Sequence, residues 1–242
     1  MKTEPDSWRT RSVEDFLKTL YLLQQQHPSV TTNQLAHALH IAPASTTDMI
    51  QRLAGLAEAN NSGEFSIPEP LVDYRRYRGV RLNAAGERVA LSVLRRRRLI
   101  EQLLCRFFGY RWDELDDDAD RLEHAVSVRL EQRIAALLGY PEFDPHGDPI
   151  PTETGDIPSE ALVSLAALPV GQAAIIRRVD DQTPEVLRSL ANLGLVLERA
   201  VRLRERNELN DTLTVELGTW QVETISLRVA QTIAVKRFPT YE

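Results

Sequence analysis

At 242 residues, with 43% hydrophobic and 26% charged side chains, the chain has the makeup of an ordinary globular protein, enough for one large domain or two to three small ones. A net charge of −6 argues against a wholesale polyanion binder, so any part that reads nucleic acid has to gather its basic residues locally. The single cysteine, Cys105, excludes an intramolecular disulfide; together with a polar N-terminus and no membrane-length apolar stretch, it points to a cytoplasmic protein with no membrane partner.

Residues 13–25 place Phe16, Leu17, Leu20, Tyr21 and Leu23 at helical period, with Ser12 as the expected N-cap. Thr31 and Thr32 open a short helix through Leu35, Ala36 and Leu39, and after the break at Ile41-Ala42-Pro43 a third helix is predicted over 44–56. Short helix, tight turn and a helix with small polar residues leading is the outline of a helix-turn-helix. Ser45 and Thr47 let that helix approach phosphates and base edges, Arg52 adds charge, and Asp48 could accept from a cytosine amine. A turn at Asn60-Asn61-Ser62-Gly63 and an extended segment with Pro68 and Pro70 follow. The basic strip Tyr74-Arg75-Arg76-Tyr77-Arg78-Gly79-Val80-Arg81-Leu82 then reads as the hairpin wing of a winged helix, with a loop longer than a minimal wing needs. Arg76 and Arg78 are its candidates for phosphate contact; a basic solvated loop is the plainer alternative.

A long helix is predicted over 84–108, burying Val89, Val93, Leu99, Leu103 and Phe107, with Cys105 a core residue rather than a nucleophile. Its run Arg95-Arg96-Arg97-Arg98 circles the helix, so at least one guanidinium faces inward and needs a carboxylate, from Asp15, Glu101, Asp120 or Glu123; Arg95 and Arg98 are expected toward solvent or DNA. The acidic run Asp113 to Asp118 suits a helix entry. The helix after it, expected to continue to about Leu138, carries Asp120, Glu123 and His124 at i, i+3 and i+4, on one face. Two carboxylates and an imidazole there make half of a divalent-metal shell; the alternative is a solvated acidic face opposite a Leu122/Val126/Leu130 core stripe. Residues 141–158 read as an ordered Pro/Gly-rich linker with His146 as a turn residue. Beyond it, strands are expected over 171–179, 195–203, 213–225 (bent at Gly218) and 232–237, with a helix over 184–193, which together suggest a small β-barrel.

This order of parts resembles the diphtheria toxin repressor family of bacterial metal-dependent regulators, which includes the manganese transport regulators. The resemblance covers nearly the whole chain and rests on D-R-L-E-H (Asp120 to His124), P-H-G-D-P-I-P (Pro145 to Pro151), L-P-V-G-Q-A-A (Leu168 to Ala174) and L-A-N-L-G-L (Leu190 to Leu195). It implies a mainly α chain with a small β part: a winged helix-turn-helix over 1–83, a helical metal-binding and dimerisation domain over 84–140, a Pro-rich linker over 141–159, and an SH3-like (FeoA-like) β-barrel over 160–242. It also implies a homodimer that binds palindromic operators with Mn²⁺ or Fe²⁺ bound and represses metal-uptake genes.

Carried across residue by residue, the family's primary ligands fall on Asp15, Asp120, Glu123 and His124, and its ancillary glutamate on Glu101. The remaining ancillary positions are not kept. Lys18 and Arg97 stand where a glutamate and a histidine are usual, and Asp116 meets the second histidine. Both losses arriving as cations suggests that Lys18 and Arg97 replace the charge of a second ion. A guanidinium ~4 Å from a dication is opposed by ~8 kcal/mol at an effective dielectric of ~20, which three carboxylates can absorb at some loss of affinity. Two outcomes stay open: one ion at the primary shell, or a metal-independent regulator answering another ligand or protein, for instance through the barrel. A metal-dependent hydrolase would use the same cluster, but the chain has no nucleophile-elbow or Gly-rich phosphate-loop motif.

Overall fold

The first helix, α1 (Arg11–Gln24), starts two residues earlier than expected because Thr10, not Ser12, has the extended backbone of a cap; its hydroxyl accepts from the Val13 N–H at 3.4 Å. α2 (Thr32–Ala38) opens with a reciprocal capping box between Thr31 and Gln34. α3 (Pro43–Leu53) has proline in its first turn, buries Thr46, Ile50 and Leu53, and ends short of Leu56 at Gly55, whose φ is +67°. The computed structural model describes residues 8–56, 67–218 and 220–238, so the expected turn at Asn60 to Gly63 lies outside the described residues. The chain divides into two units, residues 1–96 with 153–155, and residues 97–152 with 156–242.

The wing is shorter than the sequence suggested. β1 (Val72–Arg75) pairs antiparallel with β2 (Gly79–Leu82), Arg75 opposite Gly79, which leaves only Arg76, Tyr77 and Arg78 in the loop. The stretch with Pro68 and Pro70 is a connector instead, fastened where the Leu71 N–H donates to the Leu53 carbonyl at 2.8 Å. Phe16, Leu17, Leu20, Val30, Leu35, Ile50, Leu53 and Val80 form the core of this unit, with Leu91 and Leu94 of the long helix α4 (Ala84–Phe108).

The other unit has two cores. Leu99, Ile100 and Leu104 of α4 pack with Leu115, Ala119, Val126, Ile134 and Leu138. The helix expected to run on to Leu138 is broken into α5 (Asp116–Leu122) and α6 (Val128–Leu137). Ser127 causes the break: it takes an extended backbone (φ −71°, ψ 156°) and its hydroxyl accepts from the Leu130 N–H, starting a second helix rather than continuing the first. The rotation leaves Leu122 and Leu130 exposed and only Val126 buried, so the expected apolar stripe does not form, and Phe107 on α4 is 55% exposed rather than buried.

The second core lies under a six-stranded antiparallel sheet, the SH3-like part of the fold, of order β3-β8-β4-β5-β6-β7. Its strands are β3 (Val163–Ser164), β4 (Ala173–Val179), β5 (Ala200–Asn207), β6 (Thr212–Leu217), β7 (Gln221–Ser226) and β8 (Ile233–Arg237). Residues 195–199 are a turn rather than strand, and 213–225 is not one bent strand: Gly218, at φ +63°, reverses the chain into the β6–β7 hairpin. Two helices complete it, α7 (Pro184–Asn192) and the unanticipated α8 (Leu227–Gln231), started by a Ser226 cap. No helix of the described residues is long and apolar enough to cross a membrane.

Candidate metal centre

The break between α5 and α6 shapes the acidic corner. Asp120 is on α5, Glu123 is its C-cap residue, and His124 occupies the turn that follows. Although the helix ends at Leu122, one ligand atom from each of the three lies within 4.8 Å of the others, His124 Nε2 being 3.2 Å from Glu123 Oε1. Glu123 is fully buried, and a carboxylate removed from water needs a compensating charge.

That charge is Arg97. Its Nε is 2.9 Å from Glu101 Oε1, its Nη1 3.6 Å from Glu123 Oε2 and 3.9 Å from Asp120 Oδ1, and its Nη2 donates to Asp116. Burial pushes the Arg97 pKa down, but Glu101, Glu123 and Asp116 more than reverse this, so the guanidinium is held charged. In the other unit, Lys18 is buried on α1 with its ammonium 3.4 Å from Asp15, which also pairs with Arg11 at 3.6 Å.

The expectation that Arg95 and Arg98 face solvent or DNA is overturned: each of the four arginines meets a carboxylate. Arg95 lies 4.0 Å from Glu153 and Arg96 2.7 Å from Glu14. Arg98 lies 3.6 Å from both Asp144 and Asp148 and donates to the Pro149 carbonyl at 2.6 Å. Residues 141–151 cover that side of α4, which the helix's own periodicity cannot show.

The same segment builds a pocket that the sequence reading missed. Glu101, Asp144 and His146, all buried, bring ligand atoms within 4.8 Å of one another, so Glu101 groups here rather than with Asp120, Glu123 and His124. His146 is thus more than a turn residue. Its Nε2–H donates to the Trp112 carbonyl at 2.8 Å, leaving Nδ1 buried without a hydrogen bond. Burial and the neighbouring Asp144 charge push Glu101 up to about 8, against the pull of Arg97 and Arg98. Gly147 permits the arrangement. Its φ is +89°, and a Cβ there would lie 1.9 Å from the Arg177 carbonyl oxygen of β4. The legible signal was Asp144-x-His146 opening the P-H-G-D phrase.

The residues expected at DNA belong to one unit. Ser45 is exposed in the first turns of α3; Thr47 is half-buried, its hydroxyl donating to the Pro43 carbonyl at 2.9 Å; Asp48 and Arg52 pair with each other at 3.8 Å. Arg76 and Arg78 are exposed in the wing loop.

A winged helix, a helical segment with a carboxylate–imidazole corner and a small SH3-like sheet define a metal-responsive, DNA-binding transcriptional repressor. Comparison with known proteins agrees. Residues 9–58 match the iron dependent repressor N-terminal DNA binding domain, residues 83–152 the iron dependent repressor metal binding and dimerisation domain, and residues 163–237 the FeoA domain. The iron-dependent repressor IdeR of Mycobacterium tuberculosis is 26% identical over 197 residues, 76% of this chain and 80% of that protein. The HTH-type transcriptional regulator MntR of Bacillus subtilis is 30% identical over 135 residues, 56% of this chain and 85% of that one. A solved manganese-dependent transcriptional repressor in complex with manganese matches with a TM-score of 0.80 at 33% identity, covering 93% of this chain and 100% of its own. The chain belongs to the diphtheria toxin repressor family of iron- and manganese-dependent repressors, which are transcriptional regulators and not enzymes.

Proposed function

We propose that this chain is a cytoplasmic, homodimeric repressor of metal-homeostasis genes that binds palindromic operators and answers Mn²⁺ or Fe²⁺ through one ion per chain. The observation that carries it is the convergence of Asp120, Glu123 and His124 in a chain that also holds a winged helix. Two carboxylates and one imidazole suit Mn²⁺ or Fe²⁺ better than softer ions. The family resemblance adds Asp15, on α1, as a fourth donor. An ion held by Asp120, Glu123 and His124 would supply the positive charge that lets these donors share one corner.

The cations Arg97 and Lys18 do the work of a second ion. Arg97 neutralises Glu101 and Asp116 as well as the corner, and Lys18 partners Asp15. Dimerisation is supported by Phe107, Phe108, Val128, Leu137 and Tyr140, large apolar side chains exposed within the segment that matches a dimerisation domain. Ser45, Thr47, Asp48 and Arg52 face the major groove, with Arg76 and Arg78 on the backbone beside it. Segment 1–83 reads DNA, 84–140 binds metal and dimerises, 141–159 links, and 160–242 is the SH3-like domain.

Calorimetry of the chelator-stripped chain with Mn²⁺ should give one ion per chain at micromolar concentration, and a gel shift should be lost on adding chelator. No heat at micromolar metal, with DNA retention indifferent to chelator, would leave the reading that Arg97 permanently replaces the ion and another signal sets the regulator.

A further inference from the structure

The wing carries an exposed feature that neither metal binding nor phosphate contact explains. Tyr77, at its tip, is 90% exposed and sits at φ +66°, a left-handed conformation for which a turn normally selects glycine or asparagine. A tyrosine ring in water at such a position stabilises nothing in the fold, and backbone strain of this kind persists where the surroundings impose it.

Here they do impose it. The turn is closed by the Arg78 N–H donating to the Arg75 carbonyl at 2.9 Å, and the Ser29 hydroxyl donates to the Arg78 carbonyl. Val30 and Val80 exchange backbone hydrogen bonds at 2.9 and 3.3 Å, and the Leu82 N–H donates to the Gln24 side chain at 2.8 Å. Gly79, at φ +91°, has no room for a side chain: a Cβ would lie 2.5 Å from Ser29 Oγ and 2.6 Å from the Val30 carbonyl oxygen. The tip is a fixed mount. It presents the Tyr77 ring with the Arg76 guanidinium stacked 5.1 Å from the ring centroid, and exposed Arg75, Arg78 and Arg81 beside it.

We infer that the wing tip reads the minor groove of A·T-rich DNA, with Tyr77 as a specificity-determining residue; this rests on the repressor reading above. A narrow A·T minor groove has an enhanced negative potential that draws arginine, and an aromatic or apolar wedge can lodge between its walls or against a base step. Guanine puts an amino group on the floor of that groove, which blocks the same ring. The ring gives shape selection and Arg76 and Arg78 give attraction, so sequence preference and salt dependence are carried by different side chains.

The test uses the full chain with Mn²⁺ and duplexes it selects from a randomised pool. The selected duplex is remade with G·C or inosine·C in place of the A·T pairs flanking the recognition-helix contacts. Tyr77→Gly removes the ring and relieves the strained backbone, so its loss of function cannot be misfolding; Tyr77→Phe keeps the ring. Wild type should prefer A·T over G·C flanks by about 10-fold and bind inosine·C flanks like A·T, because inosine lacks the minor-groove amino group. Tyr77→Gly should lose most of that preference with an unchanged salt slope, and Tyr77→Phe should keep it. Inosine·C flanks behaving like G·C, or Tyr77→Gly keeping the preference, would overturn this inference alone. Failure of the wild type to select any duplex would overturn the repressor reading and this inference with it.

Discussion

Two acidic pockets in one unit are entered by successive arginines of the same helix, Arg97 and Arg98, and they are finished in different ways. Around Arg98 the backbone does much of the holding. Asp144 accepts from the His146 N–H at 2.8 Å and the Asp148 N–H at 2.9 Å, and the Arg98 guanidinium is itself tied to the Pro149 carbonyl. Around Arg97 the groups gathered are side chains at a helix end and a turn, namely Glu101, Asp116, Asp120 and Glu123, and their common partner is one guanidinium on a flexible stem. A carboxylate pinned by backbone donors cannot exchange its partner without unfolding the loop. A carboxylate paired with a side-chain cation can exchange it for another cation. The first pocket is built as structure; the second, on the function proposed above, is the place where an ion would compete.

The largest expected effect tests the structural pocket. Arg98→Met leaves the buried Asp144 without its cation and should cost about 3 kcal/mol of stability in a denaturant melt of the metal-free chain. Mn²⁺ affinity should stay within about twofold, since the proposed ion site is the other pocket. A large loss of affinity with unchanged stability would reverse the assignment of the two pockets. Next in size, His124→Ala removes the corner's only imidazole and should weaken Mn²⁺ by at least ~100-fold, beyond what orienting partners of ligands typically contribute. Calorimetry showing wild-type affinity would remove His124 from the shell. Smaller, and opposite in sign, is Arg97→Ala. With the competing guanidinium gone, Mn²⁺ should bind about 10-fold tighter, a gain of about 1.4 kcal/mol. Weaker binding instead would make Arg97 a scaffold for the corner rather than a rival to the ion.

How legible these pockets were in the sequence follows from how local their contacts are. The helix-turn-helix could be read because its signals act within a few residues: the Thr31/Gln34 capping box, Pro43 at a helix entry, and the period of Phe16, Leu17 and Leu20. The corner could be read for the same reason, since Asp120, Glu123 and His124 are within five positions. The Arg98 pocket could not. It joins Glu101 on α4 to Asp144 and His146 of a Pro/Gly-rich stretch whose composition suggests a spacer, and only tertiary folding lays that stretch on the helix. Phe107 was misassigned because periodicity marks a residue as apolar-facing without saying what covers it.

The smallest expected effect concerns the residue at which the helix predicted to run on to Leu138 is broken. Apolar period alone continues the helix from Asp120 to Leu138; Ser127 stops it, because its hydroxyl satisfies the Leu130 N–H that starts α6. That stop places Glu123 and His124 at a corner instead of on a straight helix. Ser127→Ala should cost about 1 kcal/mol of stability, the usual value of a lost N-cap. If the corner's geometry matters for coordination, Mn²⁺ affinity should fall by a factor of about 3 to 10 at the same time, because alanine favours continuing the helix and turning His124 away from Glu123. Ser127→Asp keeps a capping oxygen and should restore both. A stability loss with wild-type affinity would mean that the three ligands converge whether or not the helix is broken, and that the break serves only the packing of Val126, Ile134 and Leu138.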